Sequence, residues 1–191
     1  MSEQSIAEQS IAAAFEVAHS YEDYLAASPD HAQAWHDMAE RIALLPTHHT
    51  LLKSFIRPMR MLVVSGAWCG DCVRQGPAIA AIAQACDVID LRWIDRDHEA
   101  SPIAHMKINL GTRVPVAAFM AEDSGLVSIF GDRTLACYRW ILAKKTGATC
   151  PVPGAPIPDD VIAGMVQDWV NEFERVQCLL QLSPRLQAAA S

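Results

Sequence analysis

Long apolar runs are missing from this 191-residue chain: nothing approaches the ~18 consecutive apolar residues of a membrane-spanning helix. Clusters of lysine and arginine are missing too. Fifteen basic against 22 acidic residues leave a formal charge of −7, so no patch stands out that could neutralise phosphates or anionic lipid. Nucleic acid and membrane surfaces are therefore not expected as partners. No Gly-rich phosphate loop is present, nothing implies NAD, flavin or ATP, and no cofactor is expected. The opening residues, MSEQSIAEQS, have neither a basic n-region nor an apolar h-region, which points to the cytoplasm. Six cysteines, at 69, 72, 86, 137, 150 and 178, are too sparse for a secreted disulfide framework. What remains is a chain 51% apolar, long enough to bury a core as one domain with additions.

Residues 5 to 57 read as helices only. Ile6, Ile11, Phe15 and Ala18 share a helical face; Ser28-Pro29 opens a segment through Leu45 bearing Trp35, Met38 and Ile42, and Thr47 can cap a third helix that ends by Pro58. The pattern then changes. A strand over 60–65, a helix over 70–85 and a strand over 88–95 form a β-α-β unit, followed by a short helix from Ser101-Pro102 to about Ile108. Beyond Pro115, VAAFMA and LVSIF flank a hairpin-length turn, and Asp132 or Thr134 caps a helix through Lys145. Four prolines between residues 151 and 158 make a stiff connection. A helix over 159–182 then carries Ile162, Met165, Val166, Trp169, Val170, Phe173 and Val176 on one stripe, and the tail from Leu186 is expected to fray.

The chemistry concentrates in MLVVSGAWCGDCVRQGP, residues 61–77. Cys69 and Cys72 can be a redox pair, half of a metal site, or two neighbouring core residues. A closed zinc site needs four ligands, and Cys86, Cys150, His48, His49, His98 and His105 supply no second ligand spacing of a recognised kind. A strand running into C-x-x-C and on into a helix does suit redox work. The first cysteine sits at the helix N-terminus, where free N–H groups favour a thiolate, and the second lies one turn further in.

At these residues the sequence resembles the thioredoxin superfamily, over roughly 59–146. Trp68 precedes the first cysteine, Pro77 stands five after Cys72, and Val114-Pro115 occupies the place of that family's cis-proline; Gly131 also fits. The resemblance implies an α/β, three-layer fold: a central mixed sheet flanked by helices. Residues 1–58 would be a helical N-terminal extension, 59–146 the thioredoxin-like domain, and 147–191 a proline-rich connection and long helix packed on it. It implies a thiol–disulfide oxidoreductase, reductase or isomerase, with Cys69 as attacking nucleophile and Cys72 as resolving thiol. Trp68, Gly70, Arg113, Val114 and Pro115 would meet the substrate, a protein or small-molecule disulfide. An electron donor, either a reductase or a low-molecular-weight thiol, would recycle the pair. An all-helical leader before WCGDC is similar to a bacterial group within the superfamily.

There are departures from the family pattern. Asp71 stands where thioredoxins carry Pro, Val63 where they carry a buried Asp, and Leu91, by alignment, where they carry a Lys. A carboxylate about 6 Å from the Cys69 sulfur, at an effective dielectric of roughly 40, raises the thiolate by ~1.4 kcal/mol, about one pKa unit. That predicts a reductant rather than a strong oxidant. With Val63 unable to take a proton, Asp71 becomes a candidate acceptor for Cys72, although an acidic residue in a first turn also simply stabilises the helix. Arg74 and Arg113 read as solvated arginines, Trp93 and Trp140 as core or half-buried. Cys86, Cys137 and Cys178 read as small hydrophobes, and Cys150 as an exposed thiol open to a second redox step. The alternative from another class is a non-catalytic scaffold that binds a protein through the Trp169/Phe173 stripe.

Overall fold

The structure, a computed structural model, describes residues 3–146 and 157–189. Four helices come first: α1 (Glu3–Val17), α2 (Tyr21–Ala26), α3 (Pro29–Ala39) and α4 (Pro46–Lys53). They lead into β1 (Met59–Ser65), α5 (Gly70–Gln84) and β2 (Ile89–Asp95). A 3-10 turn at Ile103–His105 precedes the hairpin β3 (Val116–Ala121) and β4 (Leu126–Gly131), and α6 (Leu135–Lys145), α7 (Asp159–Gln181) and α8 (Pro184–Ala189) close the chain. The sheet runs β2-β1-β3-β4, with β1 parallel to β2 and both other pairs antiparallel. The sheet is thus mixed, flanked by helices, and of the thioredoxin-like class.

Alternation along the strands assigns the two faces. Met61, Val63, Leu91, Trp93, Ala117, Phe119 and Phe130 share one of them through the strand registers. Here α7 seats Phe173 edge-on against Phe119 at 5.4 Å and Trp169 edge-on against Phe130 at 4.9 Å. The opposite face meets α1, whose buried Phe15 lies under the guanidinium groups of Arg60 and Arg92. Trp169 and Phe173 are fully buried. The stripe that a partner-binding scaffold would present therefore covers the protein's own sheet.

Several element boundaries differ from the sequence reading, each for a local reason. The helix opened by Pro29 ends at Ala39 rather than Leu45, because Leu45 precedes Pro46 and is held extended. Leu45, not Thr47, is the N-cap of α4, and its N–H donates to Nδ1 of His48. The short α2, capped by Ser20, lies where no separate helix was read. Residues Pro184 to Ala189 form a helix rather than a frayed tail, anchored by buried Leu186. Cys178 is exposed on α7, not packed as a small hydrophobe. Most of the proline-rich connection, with Cys150, lies outside the described residues.

The N-terminal helices are built into the core. Tyr21, Tyr24, Trp35 and Trp93 form an aromatic cluster with ring centroids 5.5–6.0 Å apart, and Trp35 Nε1 donates to the Ala67 carbonyl at 2.9 Å. Helix α3 thereby grips the loop that enters C-x-x-C. Its fit demands a glycine in α5: a Cβ on Gly76 would stand 2.0 Å from the Trp35 ring. Gly76→Ala is expected to destabilise the protein by about 2–3 kcal/mol, overpacking outweighing the ~1 kcal/mol that alanine brings to a helix. Chemical denaturation measures it; a gain in stability would mean that Trp35 is loosely held.

Candidate active site

Strand β1 is buried on both faces, and its end delivers the loop Gly66-Ala67-Trp68 to the start of α5. Cys69 is the N-cap, extended at φ −82° and ψ 122°, with its carbonyl accepting from Val73. Its sulfur is partly exposed at the helix end, where the first-turn N–H groups lack helical partners. Cys72, one turn on, is fully buried, and the Gly66 N–H points at its sulfur at 3.5 Å. Trp68 is 55% exposed beside the pair, with the Arg96 guanidinium over its ring.

The opposite wall is the Val114–Pro115 segment, joined by a cis peptide bond. The Val114 carbonyl lies 3.8 Å from the Cys69 sulfur. Gly131 backs this wall at φ +155°, and a Cβ there would fall 2.6 Å from the Pro115 carbonyl. The site residues expected from the sequence come together here: Trp68, Cys69, Gly70, Cys72, Val114 and Pro115.

The two thiols are driven in opposite directions. The Cys69 pKa is brought down to about 6, chiefly by hydrogen bonding from the Cys72 thiol, with help from the backbone N–H groups of Cys72 and Asp71; burial and the Asp71 charge act against this. Burial pushes the Cys72 thiol up, and the Cys69 thiolate beside it adds to the rise. The sequence reading, in which the helix N-terminus favours the thiolate and Asp71 cancels part of that benefit, has the sign of both effects right and lacks the largest one, the Cys72 hydrogen bond. The hydrogen bonds win because they converge directly on the sulfur.

Asp71 is also not a free charge. Its carboxylate is ion-paired to Arg74 in its own helix and to Arg133, 62 residues on. Arg133 reaches Asp132 as well, at 3.3 Å, and the buried Asp132 carboxylate accepts from Arg113 at 3.2 Å and from the Tyr138 hydroxyl. Burial opposes ionisation of Asp132, yet the hydrogen bonds from Tyr138 and Arg113 hold its carboxyl below the usual range. Arg74 and Arg113 are therefore members of an ion-pair network; Arg74 is half-buried in it, while Arg113 remains exposed to solvent as expected. Under it, fully buried Gln75 donates to the Asp132 carbonyl at 2.8 Å and accepts from Trp169 Nε1 at 3.2 Å, tying α5, the post-β4 loop and α7 together.

Gln75, Asp132, Arg133 and Tyr138 were not singled out as site residues from the sequence, apart from Asp132 as a possible helix cap. The cap proves to be Thr134. The position of Asp132 directly after the hairpin glycine was the signal that could have found it. Strand register also puts Trp93, not Leu91, opposite Val63. Among the described residues no group of three or more His, Cys, Asp or Glu side chains is arranged to hold a metal ion, and no helix is long and apolar enough to cross a membrane.

The family model described as Thioredoxin matches residues 18–146. The chain belongs to the thioredoxin family. The match begins ahead of α2, so the aromatic cluster of α2 and α3 falls inside the thioredoxin-matched region. No curated protein matches the chain. Among solved structures, a protein of unknown function from Pseudomonas aeruginosa is similar at 15% identity, with TM-score 0.64 and coverage of 85% of this chain and 93% of that one. An HIV epitope-scaffold is similar at 18% identity, with TM-score 0.58 and coverage of 84% and 96%. At these identities the likeness speaks for the fold.

Proposed function

We propose that the protein is a thiol–disulfide oxidoreductase that reduces disulfides of proteins or small molecules through Cys69 and Cys72. The observation that carries this is the geometry of the pair: a partly exposed Cys69 at the start of α5, facing the Val114 carbonyl, and a fully buried Cys72 one turn on, with the environment lowering the pKa of the first and raising that of the second. At neutral pH such a pair holds one thiolate and one proton, and only the thiolate faces outward.

The reaction follows in two balanced steps. The Cys69 thiolate attacks one sulfur of a substrate disulfide, forming a Cys69–substrate bond while the other substrate sulfur leaves as thiolate. Cys72 then gives up its proton and attacks the Cys69 sulfur. The Cys69–Cys72 bond forms, the mixed disulfide breaks, and the second substrate thiolate departs. Two electrons pass to the substrate. Val114 and Pro115 present a wall, with a carbonyl aimed at the sulfur, along which an extended substrate segment can lie, and exposed Trp68 flanks it. Gly70, next to Cys69, and Arg113, next to Val114, are both exposed and would meet the substrate there. A cytoplasmic setting with a reductase or a small thiol as electron donor belongs to this proposal.

Asp71 acts in this scheme on the charge of Cys69, balanced by Arg74 and Arg133. Asp71→Asn removes a charge that raises the thiol pKa, and leaves Arg74 without its carboxylate and Arg133 paired to Asp132 alone. The Cys69 pKa is expected to fall by about one unit, followed by the ultraviolet absorbance of the thiolate against pH. A rise would contradict this role. For the function itself, turnover of a disulfide-bonded protein with a thiol donor, compared with the Cys69→Ser protein, is the direct test; equal rates would sink the proposal.

A further inference from the structure

The dithiol reading leaves one step without a partner: Cys72 must lose a proton in a buried place, and Val63, which stands where thioredoxins carry a buried Asp, cannot take one. The surroundings of Cys72 contain an unusual group of polar atoms. Ser65, at the end of β1, is fully buried, and the N–H of the next residue, Gly66, points at the Cys72 sulfur at 3.5 Å, which puts the Ser65 hydroxyl in the same buried place, where it favours the Cys72 thiolate. Tyr24, from α2 and 3% exposed, stacks on Trp93, which lies on the same sheet face as Ser65 through the β1–β2 register, and its hydroxyl interacts with Ser65. Among the described residues neither hydroxyl has a hydrogen-bond partner, nor do the nearby Tyr21 hydroxyl and Trp93 Nε1. An unpaired buried polar group destabilises the fold, and native proteins pair the large majority of such groups. Two of them in the surroundings of one thiol need a reason.

The cluster also has an outlet. Ser65 pairs in register with Asp95, so the two side chains lie on the same face of the parallel β1–β2 pair. Asp95 is half-exposed at the end of β2, and its charge is felt at Tyr24. Asp71, by contrast, is occupied by Arg74 and Arg133. Hydrogen bonds used in catalysis are commonly long in the resting protein and tighten in the reacting complex.

We infer that the hydroxyls of Ser65 and Tyr24 form a proton relay for the resolving thiol, carrying the Cys72 proton toward Asp95 as Cys72 attacks the mixed disulfide. Ser65 touches the reacting thiol, and Tyr24 extends the path. The N-terminal helices are then part of the redox machinery. Proton and electrons balance: the Cys72 S–H proton passes to Ser65, the Ser65 proton to Tyr24 and the Tyr24 proton to the Asp95 carboxylate, while the Cys72 electron pair forms the Cys69–Cys72 bond, the Cys69–substrate bond breaks, and the substrate leaves as thiolate.

This rests on the dithiol reading, and rapid-quench mass analysis separates the two. With a fluorescent disulfide-bonded peptide as substrate, formation of the Cys69 mixed disulfide and its decay are timed independently in the wild type, Tyr24→Phe, Ser65→Ala and Ser65→Thr. Formation is expected to stay within about twofold in all of them. Decay is expected to slow by about tenfold or more in Tyr24→Phe and Ser65→Ala, with mixed disulfide accumulating, and to recover in Ser65→Thr, which keeps the hydroxyl. Tyr24→Phe retains the ring packing and removes an unpaired buried hydroxyl, so its melting temperature should hold or rise. Decay within about twofold of wild type in both Tyr24→Phe and Ser65→Ala overturns the relay while leaving the dithiol reading intact. A wild-type protein that forms no mixed disulfide at Cys69 overturns the dithiol reading, and the relay with it.

Discussion

Cys69→Ser is expected to bring disulfide reduction down to the rate of the donor thiol alone, whereas Cys72→Ser keeps the first attack and stops at a stable mixed disulfide. The difference follows from burial and charge rather than from the motif. Cys69 is the sulfur that is both partly exposed and poised as thiolate, so its loss removes the nucleophile, and a serine hydroxyl at a helix N-terminus has no base beside it to replace the function. Cys72 is fully buried with its pKa raised, so it cannot meet a large substrate and can only attack its neighbour. Trapping by Cys72→Ser, read by mass after alkylation, should therefore yield adducts on Cys69. Adducts forming equally in the Cys69→Ser protein would mean that the roles are exchanged.

The second large effect is on pH. The attacking species is the thiolate, so the rate constant for attack follows the ionised fraction of Cys69. With a pKa of about 6, that fraction falls tenfold for each unit of pH well below 6 and is nearly complete at pH 7. Attack should therefore rise by about tenfold between pH 5 and pH 7 and then level off. An ordinary cysteine, with a pKa near 8.5, would still be gaining almost tenfold per unit at pH 7. Stopped-flow rates of attack on a disulfide whose own charge is constant across the range decide between these profiles. A rate still climbing steeply above pH 7 would show that the Cys72 hydrogen bond and the helix terminus do not hold the thiolate.

How much of this was legible beforehand depends on the distance over which each interaction acts. The thiol pair, the helix that begins between them, the β-α-β unit and the hairpin are set by spacings within some 30 residues, and they stand where the pattern put them. Val114-Pro115 was found by resemblance, and the Val114 carbonyl lies against the Cys69 sulfur. The charge environment was not legible. Asp71 looked like an uncompensated carboxylate because Arg133 lies 62 residues away and meets it only when the post-β4 loop folds back onto α5. Tyr24 was invisible for a different reason: α2 is six residues long, too short to show a helical period, and its two tyrosines gain meaning only against Trp35 and Trp93. The stripe on α7 was read correctly as an apolar face, but periodicity alone cannot say whether a partner or the chain's own sheet covers such a face.

The most direct measurement is a redox titration of the Cys69/Cys72 pair against a thiol buffer, read by mass after alkylation, with Cys69→Ser as the control. Stabilising the thiolate stabilises the dithiol and raises the potential. C-x-x-C proteins with thiol pKa values of about 7 and about 3.5 have potentials near −270 and −120 mV, so a pKa of about 6 places this pair at about −230 mV. A single two-electron transition near that value, absent in Cys69→Ser, is the expected result. The absence of any Cys69–Cys72 disulfide across the whole range of poise would contradict a working dithiol at this site.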